Sequence, residues 1–117
     1  MPAYNFQARF APAIKAGTKR QTIRRRRRRP TRPGDTLYLY VGQRTKRCQK
    51  LREAICVSVE PIDIHPGYIA VDGKVLSFLE TWDLAQAEGF QSTARFYDFF
   101  QDHYGLRLIG VMELIKW

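Results

Sequence analysis

The 117-residue chain has room for one modest core, and its 44% hydrophobic and 13% aromatic content belongs to a folding domain rather than a disordered one. Charge is divided unevenly: residues 1–52 carry 16 Lys and Arg against the single acid Asp35, while residues 53–117 carry 4 against 10 acids. A basic half of that density points to phosphate in nucleic acid or nucleotides, and neither a leader nor an apolar run of the roughly 18–20 residues of a membrane span is seen, so a cytoplasmic protein without a membrane partner is expected.

Taken in order, Tyr4 to Phe10 alternates as a short strand, and Pro12 sits where a first helical turn tolerates it. A short helix through Ala13–Ala16 should stop at Gly17, which leaves Lys19 and Thr22 in irregular or early-strand backbone. Positions three apart face opposite ways in a regular strand, so a working Lys19–Thr22 pair requires backbone that is not a flat strand. Arg24 to Arg29 is an unbroken run of like charge that resists burial, and Pro30 and Pro33 mark it as a loop. Residues 36–41, TLYLYV, read as a strand, 42–50 as a second basic loop, and 51–64 as one long strand bent at Pro61.

Asp72-Gly73 between YIAV and KVLSF is a strong hairpin signal. Ser77-x-x-Glu80 fits a capping box for a helix ending at Gly89. A second helix from about Ser92 to Gly105 places Phe96, Phe99, Phe100 and Tyr104 on one face, as core rather than as a stacking platform, and residues 106–117 read as a last strand. The sum is an α+β domain spanning 1–117: a small mixed β-barrel of about five or six strands, a short N-terminal helix, and two consecutive helices before the last strand. Cys48 and Cys56 lack the spacing of a zinc motif and His65 and His103 stand apart, so reduced thiols and no metal site are expected. Trp82 and Trp117 read as structural.

The segment Gly17-x-Lys19-x-x-Thr22-x-Arg24, followed by Pro33-Gly34-Asp35 and a strand, resembles the signature of ASCH domains, a branch of the PUA-like folds. Ala85-x-x-Glu88-Gly89-Phe90, leading into a helix ending at Tyr104-Gly105, is similar to the same family, and Gly42-x-Arg44-Thr45-Lys46-x-Cys48 resembles its phage- and prophage-encoded members. The resemblance covers about residues 6–115 and implies a basic cleft that accepts RNA or a modified nucleoside. Among such proteins are small amidohydrolases that remove the acetyl group of N4-acetylcytidine with a Lys, a Thr and a Glu, which implies Lys19, Thr22 and Glu88 as the catalytic set. Other members are thought to bind RNA, and ribonucleases occur among relatives. The six-Arg run and the 42–50 loop are longer and more basic than in the small amidohydrolases, which adds weight to a polyanionic partner, RNA or also DNA.

Amide hydrolysis needs a nucleophile, a base, an oxyanion donor and an acid for the leaving amine. Thr22 is the candidate nucleophile, and Lys19 is the candidate base because neighbouring Arg side chains and burial disfavour its charge. Glu88 is placed to protonate the leaving group or to orient Lys19, and no cofactor is called for. Arg24, Arg25 and Arg26, with Arg44, Lys46 and Tyr40, form the candidate substrate- and phosphate-binding set, although tyrosines on such strands more often pack in a core or rim. The same residues admit a non-catalytic reading in which Lys19 and Arg24 hold phosphate, Thr22 caps a turn and Glu88 is a helix-surface acid or the ion-pair partner of Lys19. A monomer is expected.

Overall fold

A computed structural model of the chain describes residues 2–65, 67–104 and 112–117. Strand β1 (Ala3–Phe6) runs through a short 3-10 turn (Ala8–Phe10) into helix α1 (Ala11–Ala16), which has Pro12 in its first turn. Gly17, at φ +81°, ends α1 in the left-handed conformation that only a residue without Cβ adopts at little cost. There follow β2 (Gln21–Arg25), β3 (Thr36–Val41), β4 (Gln49–Ile55), β5 (Ser58–His65), the hairpin β6 (Tyr68–Val71) and β7 (Lys74–Val75), helices α2 (Phe78–Ala87) and α3 (Thr93–Tyr104), and β8 (Met112–Lys116).

The described strands form two sheets, in the orders β1-β3-β4 and β2-β8-β5-β6-β7, and not a closed barrel. The α+β class holds, while eight strands stand where five or six were expected. The difference among the described residues arises at two places: Gln21–Arg25 forms β2, so Arg24 and Arg25 lie on a strand rather than in the expected arginine loop, and residues 51–64 divide between two strands. Hydrophobic alternation reads straight through that stretch, yet the chain leaves one sheet at Ile55 and enters the other at Ser58. β5 continues through Pro61 as one strand: β6 pairs with β5 only from Ile62 onward, so the missing N–H falls where β5 has β8 as its one strand neighbour among the described residues.

Alternation explains which strands are buried. In β3, Leu37 and Leu39 are fully buried and face the same side, joined there by Tyr4 and Phe6 of the parallel strand β1. On β8 the successive residues Leu114 and Ile115 are both buried, which requires cover on both faces of this central strand. Helix α2 contributes Leu84 and Ala85 to the core and α3 contributes Phe96 and Phe100. Phe99 and Tyr104 are only partly buried, so the aromatic face expected to be all core divides into a core half and a half that remains accessible. The expected run of strand from 106 to 111 and the helix stop at Gly105 lie outside the described residues. No helix among the described residues is long and apolar enough to cross a membrane.

Candidate active site

Two helix ends and one strand meet at a recessed cleft of about 160 Å3. Where α1 stops, the N–H groups of Thr18 and Lys19 both turn back to the Ala13 carbonyl, so the chain reverses and aims Lys19 inward. β2 begins two residues later, and Thr22 and Arg24, two apart on it, project to the same side. The end of α2 supplies Glu88, and the turn there depends on Gly89 at φ +96°: a Cβ would stand 3.0 Å from the Phe10 ring, in a conformation that L residues rarely adopt. Lys19, Thr22, Arg24 and Glu88 all line the cleft, walled by Phe6, Phe10, Phe90 and Phe99.

Lys19 and Glu88 are 4% and 3% exposed, an unusual depth for a charged pair. The Lys19 ammonium donates to the Glu88 backbone carbonyl at 2.8 Å and lies 3.7 Å from Oε1 of its carboxylate. The carbonyl is one that helix α2 leaves open at its C-terminus, so Lys19 also caps that helix. Among the described residues Glu88 Oε2 is buried without a hydrogen-bond partner. Burial is the largest influence on Lys19 and pushes its pKa below the ordinary 10.5; the Glu88 carboxylate pulls it back up by charge and hydrogen bonding, and Arg24 and Arg9 push it down.

Arg24 fixes Thr22. Its Nε donates to Thr22 Oγ1 at 3.0 Å and its Nη2 to the Asn5 carbonyl at 2.7 Å, while the guanidinium covers the Phe6 ring at 4.8 Å. Since Oγ1 accepts from Arg24, the hydroxyl proton of Thr22 is left to donate elsewhere. Burial lowers the Arg24 pKa, offset by Tyr104, Tyr4 and Glu88. A guanidinium starts so high that it remains charged regardless.

The structure thus brings Lys19, Thr22, Arg24 and Glu88 together and separates the remaining candidates from them. Arg25 is exposed, with its guanidinium 5.1 Å over the ring of Tyr104, a cleft residue. Arg26 is exposed and does not line the cleft, and Arg44 and Lys46 are exposed in the loop between β3 and β4. Tyr40 is half-buried on β3, paired with Asn5, and also does not line the cleft. Asn5, Gln7 and His103 line it without having been singled out from sequence. His103 stacks on Phe99 at 4.1 Å, and its ring nitrogens lie 3.1 Å from the Phe99 carbonyl and 3.1 Å from Gln7 Nε2. The carbonyl only accepts, so Nδ1 donates to it and Nε2 accepts from the Gln7 amide. The signal for His103 was its position four residues after Phe99 on the aromatic face of α3. Among the described residues no three of His, Cys, Asp and Glu gather as metal ligands.

No family profile, curated protein or solved structure matches the chain.

Proposed function

We propose that the protein is an amidohydrolase, of the PUA-like ASCH kind that its motifs resemble, removing the acyl group from N4-acetylcytidine-type nucleosides. One observation carries the reading: Lys19 and Thr22, three residues apart, and Glu88, from a distant part of the chain, line one recessed cleft in which the ammonium is buried and its pKa depressed. Buried ionisable groups with displaced pKa values concentrate at functional sites.

The steps follow from these groups. Neutral Lys19 takes the Thr22 proton as Oγ1 attacks the acyl carbon, and the negative charge that develops on the acyl carbonyl oxygen is met by the Arg24 guanidinium in the same cleft. Glu88 Oε2, lacking a protein partner, accepts the N4–H of the bound amide and holds it in the cleft. The bond between the acyl carbon and N4 breaks, the amine leaves with the proton held by Lys19, and the acyl group remains on Thr22. Water, deprotonated by the same Lys19, then releases the carboxylic acid and restores the hydroxyl. One water is consumed per acyl group removed. The cleft is smaller than the ~300 Å3 lower bound of drug-sized sites, so it suits the acylated edge of one base with the sugar left outside.

Incubating the purified protein with N4-acetylcytidine should release cytidine and acetate, detected by mass. Lys19→Ala and Thr22→Ala should each reduce turnover by roughly a hundredfold or more, the usual contribution of a general base or nucleophile, and Glu88→Gln should reduce it through loss of the carboxylate that holds the N4–H. Wild-type turnover in all three folded variants would sink the proposal.

A second reading is favoured by the way Lys19 caps α2 and pairs with Glu88 at once: both roles are structural, and the cleft would then hold an RNA base without altering it. That reading predicts binding of RNA with no acetate, no cytidine and no cleaved strand.

A further inference from the structure

We infer that the base entering the cleft is carried on a single-stranded polynucleotide whose phosphates lie along a second, basic groove beside it. The inference rests on the hydrolase reading for what happens in the cleft and on the groove alone for the strand.

The groove, about 710 Å3, opens between Pro2 and the 27–36 segment, with Arg27, Arg28 and Arg29 on its wall. These arginines belong to an ordered loop. Thr31 is 3% exposed and hydrogen-bonded to the Tyr4 hydroxyl, Arg27 Nη1 donates to the Ala3 carbonyl at 2.8 Å, and Gly34 N–H reaches the Cys56 carbonyl at 2.8 Å. The loop therefore holds its like charges close together against their repulsion. No ion pair among the described residues involves any of Arg24 to Arg29. The acid in the groove, Asp35, accepts the backbone N–H of Arg32 at 2.9 Å. An anion from outside is what this arrangement lacks.

Cleft and groove are joined through one ring. Arg24, in the cleft, lies 5.5 Å from the Tyr4 ring centroid, and Arg27, in the groove, lies 5.3 Å from the same centroid. A sugar left outside the cleft thus has its neighbouring phosphates next to Arg25 and Arg27. The aromatic rings on this path, Tyr4 and Tyr104, are already covered by guanidinium groups, so attraction to phosphate rather than base stacking is the means of capture. A base paired in a duplex does not reach a recessed cleft without leaving its stack, which selects single strands.

The test uses the whole protein with fluorescein-labelled oligocytidylate of about ten residues, as RNA and as DNA, and with a blunt RNA duplex. Binding is followed by anisotropy against salt in wild type and in the Arg28→Gln/Arg29→Gln variant, which keeps the Arg27–Ala3 bond that anchors the loop. The single strand should bind more tightly than the duplex. The variant should bind about tenfold more weakly and lose roughly 1.4 from the slope of log K against log salt, at about 0.7 per phosphate. Tighter binding of the RNA strand than of the DNA strand assigns the 2′-hydroxyl a part, and equal binding assigns phosphate alone; either supports the strand. Unchanged affinity in the variant, preference for the duplex, or no binding of either strand overturns the inference.

A second arm compares hydrolysis of N4-acetylcytidine free and within the RNA strand. The preference for the strand should fall about tenfold in the variant, and a wild type with no preference overturns the link between groove and cleft. Strand binding with the expected salt slope but hydrolysis of neither substrate defeats the hydrolase reading while upholding the groove as a strand site.

Discussion

In the proposed hydrolysis Lys19 meets two demands that pull in opposite directions, because a helix cap and ion-pair partner is best charged whereas a general base must be neutral. Its depressed pKa has a calculable sign in two measurements. Turnover per free enzyme should rise with pH as Lys19 loses its proton, and the profile should level off below the ordinary 10.5. Between the folded pKa and the unfolded value the unfolded chain binds more protons, so this residue's contribution to stability also rises with pH across that window. Lys19→Met should destabilise by about 3–5 kcal/mol, since it leaves the Glu88 carboxylate buried and alone. Lys19→Met/Glu88→Leu should regain most of that loss in urea unfolding while remaining inactive. A double variant no more stable than the single one would mean that the pair is not what burdens the site. Gly89→Ala meets both a positive φ and the Phe10 ring, and a cost of about 1–3 kcal/mol is expected from chemical denaturation.

At the level of elements, the turns and caps were the most legible parts of the sequence. Asp72 and Gly73, at φ +51° and +80°, form the expected hairpin turn, and Ser77 and Glu80 make both hydrogen bonds of the capping box. Ser77→Ala should therefore lower stability by about 1 kcal/mol with little change in turnover, because α2 presents its opposite end to the cleft. Such motifs are read locally, since each is stabilised by atoms within a few residues. The departure of the chain from one sheet to the other at Cys56-Val57 is not local. Ile55 and Val57 keep the β-branched character of strand residues, yet they are 58% and 67% exposed, and the decision lies in which distant strands offer partners. The same distinction runs through the site. Lys19, Thr22 and Arg24 were legible as a motif, whereas Asn5, Gln7 and His103 reach the cleft only because β1 and α3 converge there, which spacing along one segment does not reveal.

Seen whole, the molecule places its cleft where the two electrostatic halves of the chain meet. Lys19, Thr22 and Arg24 come from the half with one acid, and Glu88 comes from the half with ten. A polyanion is drawn to the arginines that adjoin the cleft, which favours encounter there. The last residue of the chain adds a practical consequence. Trp117 is 5% exposed, its backbone N–H bonds to the Arg20 carbonyl at 3.0 Å, and its indole meets the edge of Phe6, a cleft wall, at 6.2 Å. Trp82, expected to be structural, is instead 44% exposed on α2. The two indoles are thus optically separable, one shielded behind the cleft and one open to quenchers. In Trp82→Phe the remaining emission should respond to whatever fills the cleft, so that titration with N4-acetylcytidine yields a label-free occupancy curve; emission unmoved by a nucleoside that the protein hydrolyses would place the binding event elsewhere.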